Sequence, residues 1–137
     1  VQSIGGYRVL GRLGSGGMGA VFRCLDEATG RELAVKVLPQ GVWATSYQRE
    51  RFRREALALA KLRHPNVLRV FSAGEEDGLP FLAVALHSGG SLSERVREDP
   101  LAAEEAARIG LALARGLAAA HAAGILHRDL KPDNVLF

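Results

Sequence analysis

The sequence has a single cysteine, no block of five like charges, and no apolar run long enough to span a membrane. Each absence removes a class of protein. With Cys24 alone, no intrachain disulfide can form and no cysteine pair is available to a metal. Cys24 lies in the alternating run 20–25, which predicts a buried free thiol and suits a reducing, cytoplasmic setting. No stretch of span length and no signal-peptide pattern occurs, so membrane contact is not expected within these residues. The net charge of +3 is mild, and the cluster Arg49, Arg51, Arg53, Arg54 is interrupted by Glu50 and Glu55. That cluster reads as the solvated face of a helix, and nucleic acid is not an expected partner. Internal repeats and low-complexity linkers are also missing.

What remains is the composition of a globular protein, 47% apolar and 24% charged over 137 residues. The length suits one domain or part of a larger one. Val1 in place of an initiating Met reads as the sign of a chain cut from a longer polypeptide.

Before residue 40 the pattern is β. Runs 7–13, 20–25 and 32–38 alternate apolar and polar residues, the turn 27–30 precedes the third, and Pro39 ends it. Residues 46–63 switch to helical periodicity, with Phe52, Ala56, Leu59 and Leu62 on one face. His64-Pro65-Asn66 breaks that helix, because the residue before proline is pushed out of the helical region. Two more strands are expected at 67–72 and 81–86, joined by the polar turn 74–78. Gly89-Gly90 punctuates the chain, and the remainder is helical up to the terminal loop. Asp99 is the expected N-cap with Pro100 at the first helical position, and Gly124 the C′ residue.

Three segments carry chemistry. Gly14-Ser15-Gly16-Gly17-Met18-Gly19-Ala20-Val21 matches G-x-G-x-x-G-x-V, whose glycines let backbone N–H groups approach phosphate oxygens. A dinucleotide fold would need a helix after these glycines, whereas a β-like run follows. Lys36 lies inside the apolar strand, either as an edge lysine facing water or as a partner of Glu55 on the helix. Glu50 competes for it from a different helix face. In the last eleven residues, Asp129 could accept a hydroxyl proton, Lys131 could meet a phosphoryl group, and the Asn134 carboxamide offers a hard oxygen to Mg²⁺. His127 reads better as a packed support for the loop than as an acid or base. His64, His87 and His121 show no metal-ligand spacing.

Taken together and in order, the glycine-rich loop, Ala34-Val35-Lys36, Glu55, His64-Pro65-Asn66 and His127-Arg128-Asp129-Leu130-Lys131-Pro132-Asp133-Asn134 resemble the Hanks-type serine/threonine protein kinases. The bacterial branch is the more similar. The resemblance runs over essentially the whole chain. It implies an α+β, protein-kinase-like fold: a small antiparallel five-stranded lobe with one helix and a connector over 1–87, then the beginning of a helical lobe over 88–137. It further implies ATP and Mg²⁺ as cofactors and a protein with a Ser or Thr hydroxyl as substrate. Leu13, Gly14, Ser15, Gly16, Gly17, Met18, Gly19, Ala20 and Val21 would cover ATP. Lys36 would hold its phosphates with Glu55 behind. Val21 and Ala34 would roof the adenine and Leu136 floor it, with Val84 at the back and Ala85 to His87 along its edge. Asp129 would be the catalytic base, Lys131 the phosphate contact and Asn134 a metal ligand, with Arg128 available to a phosphorylated activation loop.

No D-F-G follows the catalytic loop, so the principal Mg²⁺-binding aspartate of the family, its activation loop and its A-P-E segment have no counterpart here. The chain therefore reads as the truncated N-terminal piece of a kinase domain, with little expected transfer by itself. Two other readings stand beside this one. A small-molecule kinase would share H-x-D-x-x-x-x-N, against which Arg128, Lys131 and the full glycine loop argue. A non-catalytic nucleotide-binding or scaffold module would need only the residues present.

Overall fold

The computed structural model describes residues 2–16, 19–39, 44–127 and 129–137; Gly17, Met18 and Arg128 of the expected site lie outside them. The chain divides into two compact units, 1–61 with 68–86, and 62–67 with 87–137.

The first unit is a six-stranded antiparallel sheet with one helix. Its strands are β1 (Ser3–Ile4), β2 (Tyr7–Gly16), β3 (Gly19–Asp26), β4 (Arg31–Val37), β5 (Val70–Glu76) and β6 (Leu79–Ala85), in spatial order β1-β2-β3-β4-β6-β5. The sixth strand is β1, one more than the sequence pattern indicates. It forms because Gly5 and Gly6 both take positive φ (59° and 87°), as a two-residue hairpin turn requires. A side chain at Gly5 would also collide with the Phe81 ring.

Asp77-Gly78 makes the corresponding turn between β5 and β6, so these strands are shifted relative to the expected 67–72 and 81–86, and the turn is shorter than 74–78. Between β3 and β4, Asp26 accepts hydrogen bonds from Ala28 N (3.1 Å) and Thr29 Oγ1 (3.0 Å), and Gly30 closes the turn at φ 71°. The core cluster is Cys24, Leu33, Val35, Phe81 and Ala83, flanked by Ile4, Tyr7, Val9, Phe22, Val37 and Phe71. Desolvation in this core pushes the Cys24 thiol pKa up.

Helix α1 (Ser46–Lys61) starts with a reciprocal cap. Thr45 Oγ1 accepts from Gln48 N at 3.1 Å, while Gln48 Oε1 accepts from Thr45 N at 3.0 Å. The helix stops two residues before the expected Arg63, and Arg69 donates to the Ala60 carbonyl near its end.

The second unit contains α2 (Leu92–Glu98), α3 (Ala103–Ala122) and a 3₁₀ turn, Pro132–Asn134. The expected helix start at Asp99-Pro100 is corrected here. Ser91-Leu92-Ser93-Glu94 has the S-x-x-E pattern of a cap, and Ser91 Oγ accepts from Glu94 N at 3.2 Å, so a short helix begins there. Asp99 is the C-cap of α2, held extended (φ −144°, ψ 139°) as suits a residue before proline. Helix α3 then begins only at Ala103, where Glu104 and Glu105 oppose the positive end of its dipole. It ends as expected at Gly124, φ 77°, with Gly124 N donating to His121 O and Ile125 N to Ala120 O. Among the described residues no helix is long and apolar enough to cross a membrane.

Within this unit α3 approaches the 62–67 segment so closely that a Cβ on buried Gly116 would stand 2.6 Å from Asn66 O, whereas Gly110 has nothing within 4 Å. Gly116→Val should therefore lower stability by about 1–3 kcal/mol, because a backbone oxygen cannot swing aside. Gly110→Ala should raise it by about 0.5–1 kcal/mol through helix propensity. Denaturant midpoints of the two variants, measured in parallel, check the pair.

Candidate active site

In the first unit the pleat of β4 sorts the candidate residues. Leu33 and Val35 are fully buried in the core, and the alternate positions Ala34 and Lys36 face the other side of the sheet. The register puts Val21 and Leu82 directly opposite Lys36, and Arg23 and Val84 opposite Ala34. Residues paired across a ladder share a face, so Val21, Ala34, Lys36 and Val84 form one surface. The expectation grouped the same four around a nucleotide.

The glycine-rich segment extends this surface. β2 and β3 pair as far as Gly16 opposite Gly19, with Ser15 opposite Ala20 and Gly14 opposite Val21. Gly19 is needed for packing: its φ is 106°, and a Cβ would run into the Val37 carbonyl. Gly14 has no such need, since no atom of the described residues lies within 4 Å of where its Cβ would be. Leu13 occupies the irregularity between the Arg12 and Gly14 pairings and is 52% exposed, as expected where a bulge re-aims a side chain.

Glu55 takes a different partner from the expected one. Its Oε1 accepts from Arg51 Nε at 3.2 Å, one turn back on α1, and no Lys36–Glu55 ion pair is found among the described residues. The i, i+4 spacing on one helix face makes Arg51 the nearer cation.

In the second unit the terminal loop closes on itself. Pro132 opens the 3₁₀ turn, Asn134 N donates to Lys131 O (2.9 Å), and the chain is brought back so that Asn134 meets Asp129. Asn134 Nδ2 donates to Asp129 O at 2.8 Å and approaches Asp129 Oδ2 at 3.4 Å. Lys131 Nζ lies 3.5 Å from the same carboxylate oxygen, and Asp129 is 57% exposed. Asp129 N donates to His127 Nδ1 at 3.2 Å, so His127 supports the loop by a hydrogen bond, while being exposed and not packed as expected. His64 does the same for Asn66 N at 3.0 Å, a role its spacing alone did not suggest.

With its amide N–H₂ committed to Asp129, Asn134 keeps its carboxamide oxygen for a hard cation, so this residue fits an Mg²⁺ ligand. It would be one ligand among several, because the described residues contain no group of three His, Cys, Asp or Glu able to hold a metal.

After the turn, the chain pairs with the segment before α2. Gly89 N donates to Phe137 O (2.8 Å), Phe137 N to Gly90 O (3.0 Å) and Leu92 N to Val135 O (2.8 Å), with Ser91 bridged to Leu136. Leu136 is 47% exposed, while His87, at the start of this unit, is exposed. Ser91 and Arg95 also belong to this neighbourhood; the S-x-x-E pattern marks the first in the sequence, and no motif marks the second. Ala85, in the first unit, donates its N–H to Arg69 O at 2.9 Å.

The family model described as "protein kinase domain" matches residues 7–137. A probable serine/threonine-protein kinase of Corynebacterium efficiens, CE0033, is 41% identical over 135 residues, covering 95% of this chain and 20% of that protein. Serine/threonine-protein kinase pkn2 of Myxococcus xanthus is 42% identical over 131 residues, covering 96% of this chain and 16% of that protein. The chain thus spans about a fifth or less of the length of these relatives. Among solved structures, the PknI kinase domain of Mycobacterium tuberculosis superimposes with a TM-score of 0.90 at 34% identity, covering 98% of this chain and 56% of that one.

The two glycines separate packing from accommodation. Gly19→Ala should cost about 1–3 kcal/mol, since it is strained in backbone and blocked by a carbonyl. Gly14→Ala should stay within about 0.5 kcal/mol of the parent. Thermal unfolding of both variants tests the distinction.

Proposed function

This chain belongs to the protein kinase domain family, and from that premise we propose that, within a complete kinase domain, it transfers the γ-phosphoryl group of ATP to serine or threonine hydroxyls of proteins. The observation that carries the reading is the closed loop in which Asn134 donates to the Asp129 backbone carbonyl and approaches its exposed carboxylate, which Lys131 also faces. Asp129 aligns the substrate hydroxyl and takes its proton as the oxygen bonds to the γ-phosphorus. The bond from that phosphorus to the β–γ bridging oxygen breaks, and ADP leaves with the electron pair. Lys131 compensates charge on the phosphoryl oxygens in flight, which is where fixed cations contribute most. Its position two residues after Asp129 supports the serine/threonine preference.

The surface of Val21, Ala34 and Val84 suits an adenine base by its apolar character. Lys36 on that surface would hold α- and β-phosphate oxygens, and the backbone around Gly14, Gly16 and Gly19 would cover the phosphates. By the family resemblance Leu136 would meet the base, and the backbone at Ala85 and His87 would meet its polar edge. Mg²⁺, when bound, supplies charge neutralisation between phosphate oxygens, with Asn134 as one ligand. The family's D-F-G aspartate has no counterpart in these residues, so transfer is assigned to the complete domain.

A second reading, nucleotide binding without transfer, is favoured by one observation: Glu55 engages Arg51 rather than Lys36. Catalysis would require Glu55 to reach Lys36 as well. In the full-length protein, Lys36→Met and Asp129→Asn should each reduce phosphorylation of a generic basic protein by about 10²–10⁴-fold or more. Near-normal transfer by both variants would refute the catalytic reading. ATP binding by a wild-type protein that transfers nothing would establish the second.

A further inference from the structure

Arg95 lies on α2, outside every motif that suggested an active site, yet it makes an unusually close ring contact. Its guanidinium carbon is 3.6 Å from the centroid of the Phe137 ring. The same guanidinium reaches Glu105 on α3 at 3.7 Å. Phe137 is thus gripped by an arginine that a second helix helps to orient. A planar cation stacked this closely has both charge–quadrupole and dispersion attraction for the ring.

The grip matters because of the residue next door. Leu136 is bridged to Ser91, and the backbone of Phe137 is hydrogen-bonded on both sides to Gly89 and Gly90. Gly89 has no room for a side chain there, since a Cβ would lie 2.6 Å from Phe137 O. In an extended segment successive side chains point to opposite sides, and a slip of one residue reverses all of them. Holding Phe137 under Arg95 therefore turns Leu136 to the opposite side, where it is 47% exposed. A slipped register would place Leu136 under the guanidinium and present Phe137 instead.

We propose that Arg95 is a positioning residue for nucleotide binding: by stacking on Phe137 it fixes the strand register that presents Leu136 to the base. This rests on the reading of Leu136 as a base-facing residue given above. A base-specific role separates from a merely structural one if binding of ATP is compared with inorganic tripolyphosphate, which carries the phosphates and no base.

In the full-length protein, Arg95→Ala should weaken ATP binding by about tenfold, in line with loss of a partly desolvated cation–π contact, and leave tripolyphosphate affinity unchanged. The KM for ATP should rise by a similar factor with kcat within about twofold. Arg95→Lys keeps the charge near Glu105 without the planar stack, so it should fall between wild type and Arg95→Ala. Calorimetric titration of both ligands gives the ratio directly. Equal loss for ATP and tripolyphosphate, or no loss for either, overturns the role of Arg95. If Arg95→Ala does not fold, Arg95→Lys and Phe137→Leu are read the same way, and an unchanged ratio in both overturns it. A wild-type protein that binds tripolyphosphate as tightly as ATP overturns instead the assignment of Leu136 to the base.

Discussion

The period-two alternation of β4 is the constraint on which the first unit depends. A strand interior to a sheet must satisfy two faces with one sequence. Here Leu33 and Val35 fill the core while Ala34 and Lys36 build the opposite surface. The ladders to β3 and β6 then carry that division sideways, committing Val21 and Leu82 to the row of Lys36 and Val84 to the row of Ala34. An inserted residue in β4 would exchange the faces, burying an ammonium group and exposing the apolar side chains that anchor Phe81 and Cys24. Core and candidate site are thus two readings of one register.

The second unit reaches its chemistry by a different route. Among its described residues no sheet imposes order, and its site is a loop held by local hydrogen bonds. Pro132 starts a single 3₁₀ turn, and Asn134 uses its N–H₂ on Asp129, which fixes where its carboxamide oxygen can point. The five-residue separation between the acid and the amide is the length that this turn closes. Histidine supports the chain twice in the same manner, at His127 and His64, each accepting from the backbone N–H two residues on. The same local turn is used at both places, once before an Asn and once before an Asp.

Much of this was legible in the residues because the signals are local. Alternation identified the strands around Cys24 and Lys36, the His64-Pro65 break ended α1 close to its observed limit, and Gly124 marked the end of α3. What escaped has a common cause. Gly5-Gly6 gives no hairpin signal in the sequence because the strand before it is only two residues long, too short to show a pattern. Asp99-Pro100 resembled a helix start, yet the same proline holds Asp99 extended, and the true signal was the S-x-x-E cap at Ser91. The partner of Glu55 could not be read from periodicity, because Arg51 and Lys36 are both plausible cations and only distance chooses between them. The Arg95 stack on Phe137 is invisible for a related reason: it joins residues forty-two apart that share no motif.

The lone cysteine has a use that follows from where it is held. Cys24 has no exposed surface, and its thiol is made still less acidic by the apolar core around it. A thiol reagent needs both access and a thiolate, and the closed sheet withholds both. Modification of this sulfur can proceed only through states in which β3 has separated from its neighbours. The kinetics of thiol labelling therefore become a clock for the opening of the central strands, at single-residue resolution and without any introduced probe. An accident of composition turns the interior of the sheet into its own reporter.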